Sequence, residues 1–320
     1  MREALVPKDP ALASSAKTFS AAIAALGTVW TSGCTAARFD PVYRRMVVEG
    51  DLVEQARIAL DKIKAALSAG DLALRSVSAM VQYLTPAALD EIEPLQAFYR
   101  DAFEGRVPLV NTIVVKRLLR ETAVIEIEAI AGQRPELALE YLPAVSAVET
   151  DAARAGVERL LAARRLTWSD LAKQTEFVAS GRTGALHARG RREEGLQVVM
   201  PRVIEAGAGS QIQAAVRRSD RILVMSAYGE ATAGGVVEQC RAIYSDLAER
   251  LARAGSGLGA VVKTTEFVTS AALAAYRGTA EVRRQIFAAP YPAATGVVCE
   301  SLGEPDSQIA VEVIAVSDRT

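Results

Sequence analysis

The 320-residue chain contains few of the residues from which common metal sites and catalytic triads are built. It has one histidine, His187, and three cysteines, Cys34, Cys240 and Cys299. Such a set cannot supply a zinc site or a histidine-based triad, and it forms no disulfide framework. Cys299 as a nucleophile has no suitably placed histidine, so a buried apolar role is expected for all three cysteines. No metal or other cofactor is expected.

The chain also lacks an excess of one charge and long apolar runs, and it has few aromatic residues. Lysine and arginine number 37 and the acids 38, for a net charge of −1, and aromatics make up 5%. Without a basic field or stacking platforms, a nucleic-acid partner is not expected. The apolar runs are short and broken by charge, so no membrane span is expected. The absence of a secretory signal in the first ten residues predicts a cytoplasmic location.

The strongest positive feature is an internal repeat, because residues 54–128 reappear at 238–312. Every matching pair is separated by 184 positions (238 − 54): Glu54-Gln55-Ala56-Arg57 with Glu238-Gln239-Cys240-Arg241, Tyr83 with Phe267, Phe103 with Phe287, Pro108 with Pro292, and Glu128 with Glu312. A constant separation over this length indicates two copies of one structural unit.

A shorter third copy lies between these two. Residues 173–178 match 263–268 at a separation of 90, and Val198–Met200 and Gln213 match Val297–Cys299 and Glu312 at a separation of 99. We therefore predict an N-terminal extension (1–16), copy one (17–133), a degenerate copy two (134–218) without a proper first hairpin, and copy three (219–320).

Hydrophobic periodicity predicts an α+β fold for each copy. The predicted elements of copy one are strands at Thr28–Ser32, Ser76–Leu84, Ile113–Leu118 and Val124–Ala131, and helices at Asp51–Ala69 and Ala87–Phe103. Copy three repeats this order, with a helix at Ala274–Phe287 and strands at Gly296–Glu300 and Ile309–Val316. In copy two, Ser180–Gly195 is predicted to be a loop in place of the second helix, and the extension is predicted to be irregular because Pro7 and Pro10 interrupt it. The predicted order of elements is ββαβαββ. A sheet covered by helices on one face must bury its other face elsewhere, and three copies packed around an axis would bury all three of these faces.

Several short motifs resemble those of the RidA family of reactive-intermediate deaminases, also called the YjgF family. They are Thr31-Ser32-Gly33, Val261-Val262-Lys263-Thr264-Thr265-Glu266-Phe267-Val268, Pro292-Ala293-Ala294 and Ile125-Glu126-Ile127-Glu128-Ala129-Ile130-Ala131. Their order and spacing cover nearly all of residues 17–317. The resemblance implies a chorismate-mutase-like unit and, since the family forms homotrimers, an intramolecular pseudo-trimer that is monomeric and has three different clefts between copies.

The resemblance also implies a site, from which one central residue is missing. In deaminating members, an arginine after Pro-Ala clamps the substrate carboxylate, and the first glutamate of the closing strand orients water. The arginine position holds Val110 in copy one, Gly195 in copy two and Ala294 in copy three. The glutamate position holds Glu126, Gln211 and Ala310 in the same order. A standard 2-imino-acid deaminase is therefore not expected.

The residues leave alternatives open for each candidate position. Glu126 is the first candidate for an acid/base group and Glu128 and Glu312 the next, against strand-end salt bridges with Lys116 or Arg120. Ser32, Gly33, Ser226 and Tyr228 are candidate ligand contacts at strand ends, against simple packing positions. Arg191 and Arg192 belong to an arginine-rich loop that is either a replacement clamp or a solvated surface. Gly229–Gly235 lacks the spacing of a phosphate loop.

Two classes of function are therefore expected. The first is an enzyme that acts on a small imine, enamine or unsaturated metabolite by hydrolysis, dehydration or tautomerisation. The second is a non-catalytic small-molecule-binding or scaffold protein. Chorismatase-like chemistry on a small carboxylate is a further alternative that rests on architecture alone.

Overall fold

The computed structural model describes residues 2–9, 18–132, 138–147, 150–179, 202–207, 210–302 and 306–317. Within them the chain forms three sheets of four to six strands and a separate two-stranded hairpin. None of the helices in these ranges is long and apolar enough to cross a membrane.

Copy one has the predicted ββαβαββ order, with a small hairpin inserted before its first helix. Its elements are β1 (Glu3–Leu5), β2 (Ala22–Ala25), β3 (Thr28–Thr31), β4 (Arg38–Asp40), β5 (Arg45–Val47), α1 (Leu52–Ser68), β6 (Val77–Leu84), α2 (Ile92–Ala102), β7 (Leu109–Val114) and β8 (Ile125–Gly132). The sheet order is β1-β2-β3-β8-β6-β7, and β6 and β7 run parallel. Asp51 and Glu54 form a capping box that fixes the start of α1.

Copy two is the shortest of the three. Its elements are β9 (Leu139–Tyr141), β10 (Val145–Ala147), α3 (Thr150–Ala162), β11 (Leu171–Ala179), β12 (Arg202–Gly207) and β13 (Ser210–Arg217). The two short strands β9 and β10 pair with successive parts of β13, so together they take the place of one strand. No hairpin like β2–β3 precedes α3 among the described residues.

Copy three consists of β14 (Ile222–Tyr228), α4 (Val236–Arg253), β15 (Val261–Thr269), α5 (Leu273–Tyr276), α6 (Thr279–Ile286), β16 (Ala293–Cys299) and β17 (Ile309–Val316). Its sheet order is β14-β17-β15-β16. The helix predicted at Ala274–Phe287 is divided between α5 and α6 near Gly278. A Cβ atom at Gly278 would lie 2.7 Å from Val237, so the glycine lets this turn approach α4 closely.

The strand register shows that matching residues take the same place in all three copies. Across each central strand pair, the same place is held by Tyr83 opposite Glu126, Phe177 opposite Gln211, and Phe267 opposite Ala310. This pairing agrees with the separations of 184 and 99 read from the closing strands. The repeat inferred from the sequence is therefore a structural repeat.

The three sheets pack their inner faces into one common core. Tyr83, Phe177 and Phe267 are almost fully buried in it, and the ring centroids of the two phenylalanines lie 6.2 Å apart. The helices cover the outer faces in a separate apolar cluster for each copy. The chain is thus an intramolecular pseudo-trimer of α+β units.

Three details differ from the predictions for copies one and three. The extension is not wholly irregular, because β1 pairs with β2 and Leu5 lies opposite Ala22. Strands β7 and β16 begin at Leu109 and Ala293, about three to four residues before the predicted starts. Each strand begins directly after a proline, a residue tolerated ahead of a strand, and so includes residues before the β-branched cluster that suggested it.

The alignment predicted for part of copy two is wrong. Phe177 lies opposite Ile204 in the parallel pair β11–β12, whereas Phe267 lies opposite Val297 in β15–β16. Ile204, and not Val198, therefore takes the place of Val297, and Gly195 does not align with the arginine position. The predicted loop at Ser180–Gly195, with His187, Arg191 and Arg192, lies outside the described residues.

Candidate functional site

Copy one and copy three meet along a continuous row of hydrogen bonds. The amide of Ser20 donates to the carbonyl of Pro292 (3.0 Å), and the amide of Gly33 donates to the carbonyl of Ala294 (3.0 Å). The amide of Ala294 in turn donates to Oγ of Ser32 (2.8 Å). The predicted ligand contacts Ser32 and Gly33 are therefore engaged with copy three.

A buried ion pair crosses the same interface. Nζ of Lys263 lies 2.8 Å from Oε2 of Glu128, and both side chains are about 5% exposed. Lys263 also donates to Thr31 O and Thr295 Oγ1, each at 2.7 Å, and Thr295 donates to Glu128. An ion-pair role for Glu128 was one of the open alternatives, but the predicted partners Lys116 and Arg120 were wrong: Lys116 pairs with Glu300.

The other two interfaces show how this position has diverged. Glu312 of copy three pairs with Lys173 of copy two, again with both side chains buried. At the third interface the equivalent positions hold Ala79 and Gln213, so the charges are absent together. An amide side chain connects the two copies there instead, because Asn111 of copy one forms hydrogen bonds with the backbone of Leu142 and Ala144 of copy two. Glu128 and Glu312 are thus primarily interface residues.

Glu126 lies on the same face of β8 as Glu128 but in a different environment. It is 6% exposed, and its carboxyl group packs directly on the backbone of Gly33, where a Cβ atom would lie 2.1 Å from Oε1. No hydrogen bond to this carboxyl group is found among the described residues. A glycine at position 33 is therefore required for Glu126 to occupy its position.

The electrostatics of Glu126 favour its neutral form. Burial raises its pKa from the ordinary 4.5 to about 8, and the nearby Glu128 carboxylate raises the pKa further, while Lys263 and Arg120 oppose the shift. At neutral pH the group is mostly a protonated acid that can give up its proton and take one back. This is the property expected of a general acid/base.

Leu119 of copy one packs against strand β16 of copy three. A Cβ atom at Gly296, two residues beyond the arginine position of copy three, would lie 2.2 Å from Cδ1 of Leu119. Leu119 from copy one therefore covers β16 at this point.

Ser226 and Tyr228 do not belong to the Glu126 interface, contrary to prediction. In the register of β14 and β17 they lie opposite Glu312 and Ala310, at the end of the sheet that faces copy two. Copy three does complete the interface around Glu126, but through Lys263, Ala294 and Thr295. Sequence periodicity could not indicate which strand edge meets which neighbour.

The structure also contains a cavity that the sequence did not suggest. It has a volume of about 360 Å³ and lies in copy one between α2, β6 and β7. Val110, at the arginine position of copy one, lines it. Only a comparison of the lining positions of copy one with the matching positions of copy three could have indicated this cavity from the sequence. Cys240 and Cys299 are fully buried, as expected for apolar roles, and Cys34 is partly buried.

The family profile described as endoribonuclease L-PSP matches residues 10–133 and 212–317, more than half of the chain. Among solved structures, the Rid-family protein YyfA of Yersinia pestis is 25% identical; it matches 41% of this chain and 99% of its own, with a TM-score of 0.36. The YjgF gene product of E. coli is 23% identical over 41% and 99% of the two chains (TM-score 0.35), and E. coli TdcF, solved with bound serine, is 22% identical over 40% and 98% (TM-score 0.34). No curated protein matches the chain. The chain belongs to the endoribonuclease L-PSP family, known also as the YjgF/RidA family, as a tandem fusion of its unit.

Proposed function

We propose that the chain is a small-molecule enzyme in which Glu126 is the general acid/base for hydrolysis of a small imine or enamine. Family membership supports a function that involves a small molecule. The observation that carries the proposal is the state of Glu126: a buried carboxyl group between two copies, with no hydrogen-bond partner in the described part of the chain and a pKa of about 8.

Imine hydrolysis needs both protonation states of such a group. The neutral acid gives its proton to the imine nitrogen, and the resulting carboxylate takes a proton from water as the water oxygen adds to the carbon. The group then returns the proton to the amino nitrogen, and ammonia or an amine leaves. The remaining hydroxyl group gives its proton to the carboxylate, which yields the carbonyl compound and regenerates the neutral acid. A pKa near the working pH makes both transfers accessible.

The substrate is expected to lack a carboxylate that must be clamped beside the reacting carbon. Ala294 and Val110 stand at two of the three positions where deaminating relatives are expected to have the arginine. An apolar group cannot replace a bidentate guanidinium–carboxylate pair. A small neutral imine or enamine is the chemical class that fits an apolar position next to a neutral acid.

The test compares the wild type with Glu126→Gln and a matched control. Carbonyl and ammonia formation are followed with a panel of small neutral imines and enamines. Glu126→Gln should fold and lose turnover by about 10²–10⁴-fold, the usual effect of removing a general acid/base. Glu49→Gln, which changes an exposed acid paired with Arg38, should retain the wild-type rate.

The pH profile gives a second readout of the same proposal. The first proton transfer requires the protonated form, so kcat/KM should fall as pH rises through about 8. Unchanged turnover in Glu126→Gln, on any substrate the wild type accepts, contradicts the proposal.

A non-catalytic scaffold protein is the second candidate, and the packing of the interface favours it. Ser32 and Gly33 bond to Ala294, and Leu119 covers Gly296, so groups expected to meet a ligand meet protein instead. A folded chain that neither binds nor turns over any member of the panel is the result that supports this candidate.

A further inference from the structure

We propose that the β4–β5 hairpin of copy one (Arg38–Val47) is a docking element for the surface of an anionic lipid bilayer. Eight large apolar side chains are exposed in the described part of the chain, and half of them lie on this hairpin. They are Phe39 (60% exposed), Val42 (83%), Tyr43 (65%) and Met46 (41%). A cluster of exposed apolar side chains marks an interaction surface, whereas scattered single ones need no explanation.

The fold of the unit does not require this hairpin. Copy one places 20 residues (32–51) between β3 and α1, whereas copy three connects β14 to α4 with the seven residues 229–235. Among the described strands, β4 and β5 pair only with each other. The exposed side chains of the hairpin therefore do not serve the core of copy one.

Hydrogen bonds hold the hairpin in a fixed shape at both ends. At its base, Nζ of Lys62 on α1 donates to the carbonyl oxygen of Ala37 (2.5 Å). At its turn, Oδ1 of Asp40 accepts hydrogen bonds from the amides of Val42 (2.7 Å) and Tyr43 (2.9 Å). The turn thus presents two apolar side chains on a backbone that is already ordered, which lowers the entropic cost of docking.

The remaining apolar side chains lie on one face of the hairpin. Phe39 and Met46 are directly opposite each other in the register of β4 and β5, so they share that face. Val42 and Tyr43 lie in the turn beyond them. The hairpin is therefore a projection with an apolar tip and one apolar face, a shape suited to entering a soft medium.

The charges on the hairpin select the chemistry of the partner. Residues 38–47 carry three arginines and one acid, a net charge of +2 (3 − 1), on a chain whose net charge is −1. The acid, Asp40, is engaged by the amides of the turn, and Arg38 belongs to an exposed ion pair. Arg44 and Arg45, beside the tip, are exposed and have no acidic partner among the described residues. The hairpin therefore fits a partner that is anionic as well as apolar.

An anionic bilayer combines these two properties in the arrangement that the hairpin requires. Its phosphate groups lie above its acyl chains, so Arg44 and Arg45 can contact headgroups while Val42 and Tyr43 enter the boundary below them. Tyrosine is favoured at this depth because its ring is amphipathic. A second copy of this chain fits less well, because two tips in symmetric contact would bring four arginines together.

Binding of the full chain to lipid is measured by co-sedimentation with vesicles of phosphatidylcholine that contain about 30% phosphatidylglycerol. At ~0.05 M salt we expect an apparent Kd on the order of 1 mM accessible lipid, weaker than that of a single acyl anchor. Vesicles of pure phosphatidylcholine should bind about tenfold or more weakly, because they offer no net negative charge. Raising the salt concentration to about 0.5 M should weaken binding to the anionic vesicles severalfold.

Variants of the tip test each part of the surface separately. Val42→Ser/Tyr43→Ser removes the apolar tip and should weaken binding to anionic vesicles about tenfold or more. Arg44→Asn/Arg45→Gln removes the two cations and should have an effect of similar size on these vesicles alone. Asparagine is chosen at position 44 because the backbone there has a φ of +51°. All four positions are exposed, so both proteins should fold.

A fluorescent residue at the tip shows whether the hairpin itself enters the lipid. The emission of Tyr43→Trp should shift to shorter wavelength when anionic vesicles are added. The two native tryptophans, Trp30 and Trp168, lie outside the hairpin, so the emission of the wild type should stay unchanged.

Matched controls lie elsewhere on the surface. Leu89→Ser changes an exposed apolar residue of copy one, and Arg284→Gln changes an exposed arginine of copy three. Both should bind the anionic vesicles as the wild type does. Glu126→Gln should also bind them normally, which separates this surface from the proposed catalytic site.

Three outcomes overturn the proposal. One is that the wild type does not sediment with anionic vesicles at millimolar lipid and low salt. Another is that Val42→Ser/Tyr43→Ser binds these vesicles as tightly as the wild type. The third is self-association of the wild type that the same double variant abolishes, which would make a second copy of the chain the partner of the hairpin.

Discussion

The Lys263–Glu128 pair allows a stability prediction for which the repeat supplies the design. Lys263→Ala leaves the Glu128 carboxylate about 95% buried, with Thr295 as its one remaining donor among the described residues. Breaking a buried ion pair from one side typically costs about 3–5 kcal/mol, because an uncompensated charge stays buried. We expect Lys263→Ala to lower the free energy of unfolding by about that amount.

The double variant Lys263→Ala/Glu128→Gln recreates the combination that the chain uses between copies one and two, where Ala79 and Gln213 stand. With the charge gone, the remaining loss comes from hydrogen bonds and from the packing of the lysine stem, about 1–2 kcal/mol. The double variant should therefore be more stable than Lys263→Ala alone. The second substitution should restore about 2–3 kcal/mol of the free energy of unfolding that Lys263→Ala alone removes.

Guanidinium unfolding at 25 °C gives these values from midpoints with a common m value. Agreement between far-ultraviolet circular dichroism and fluorescence is needed to treat the shared core as one cooperative unit. Lys116→Ala, which removes an exposed pair with Glu300, is the control and should cost less than about 1 kcal/mol. A double variant as unstable as the sum of the two single variants would refute the reasoning.

Three further predictions concern the acid, the substrate and the assembly. The folded-state pKa of Glu126, about 8, exceeds its ordinary 4.5, so the free energy of unfolding of the wild type should fall as pH rises between these values. At 1.36 kcal/mol per pH unit, the fall should reach up to about 4–5 kcal/mol. Thermal melts should show no such fall in Glu126→Gln, and an identical fall in both proteins would contradict this. The chain should not measurably accelerate hydrolysis of 2-iminobutyrate or 2-aminoacrylate, because Val110 and Ala294 replace the clamp, and a robust rate in an ammonia-release assay would show that the clamp is dispensable. Sedimentation should show a 34.0 kDa monomer, because the inner sheet faces are already buried within one chain; an obligate trimer would contradict this.

Much of the fold could be predicted from the sequence because the repeat constrains it twice. The separation of 184 aligned copies one and three, and the register Tyr83–Glu126 and Phe267–Ala310 confirms that alignment. The failure at β12 has a clear cause. The sequence before β12 has no hydrophobic period that would fix its length. The match at Val198 therefore predicts the wrong equivalent of Val297, and the strand register identifies Ile204 instead.

The site was predictable only where local sequence determines it. Glu126 and Glu128 on one face of β8 follow from strand alternation. The residues that contact them cannot be predicted in this way. Lys263 is 135 positions from Glu128 (263 − 128) and meets it only because copies one and three pack together. The cavity was invisible to motif reasoning because it results from small or neutral residues where copy three has large polar ones.

The central claim, that Glu126 is a neutral acid held between two copies, can be measured directly. Carbon-13 labelling of the glutamate carboxyl groups allows their pH titration by NMR, and the signal missing in Glu126→Gln identifies this residue. The structure predicts that this signal titrates with a midpoint near 8. A midpoint near 4–5, the ordinary range for glutamate, would contradict the claim and remove the basis for the proposed mechanism.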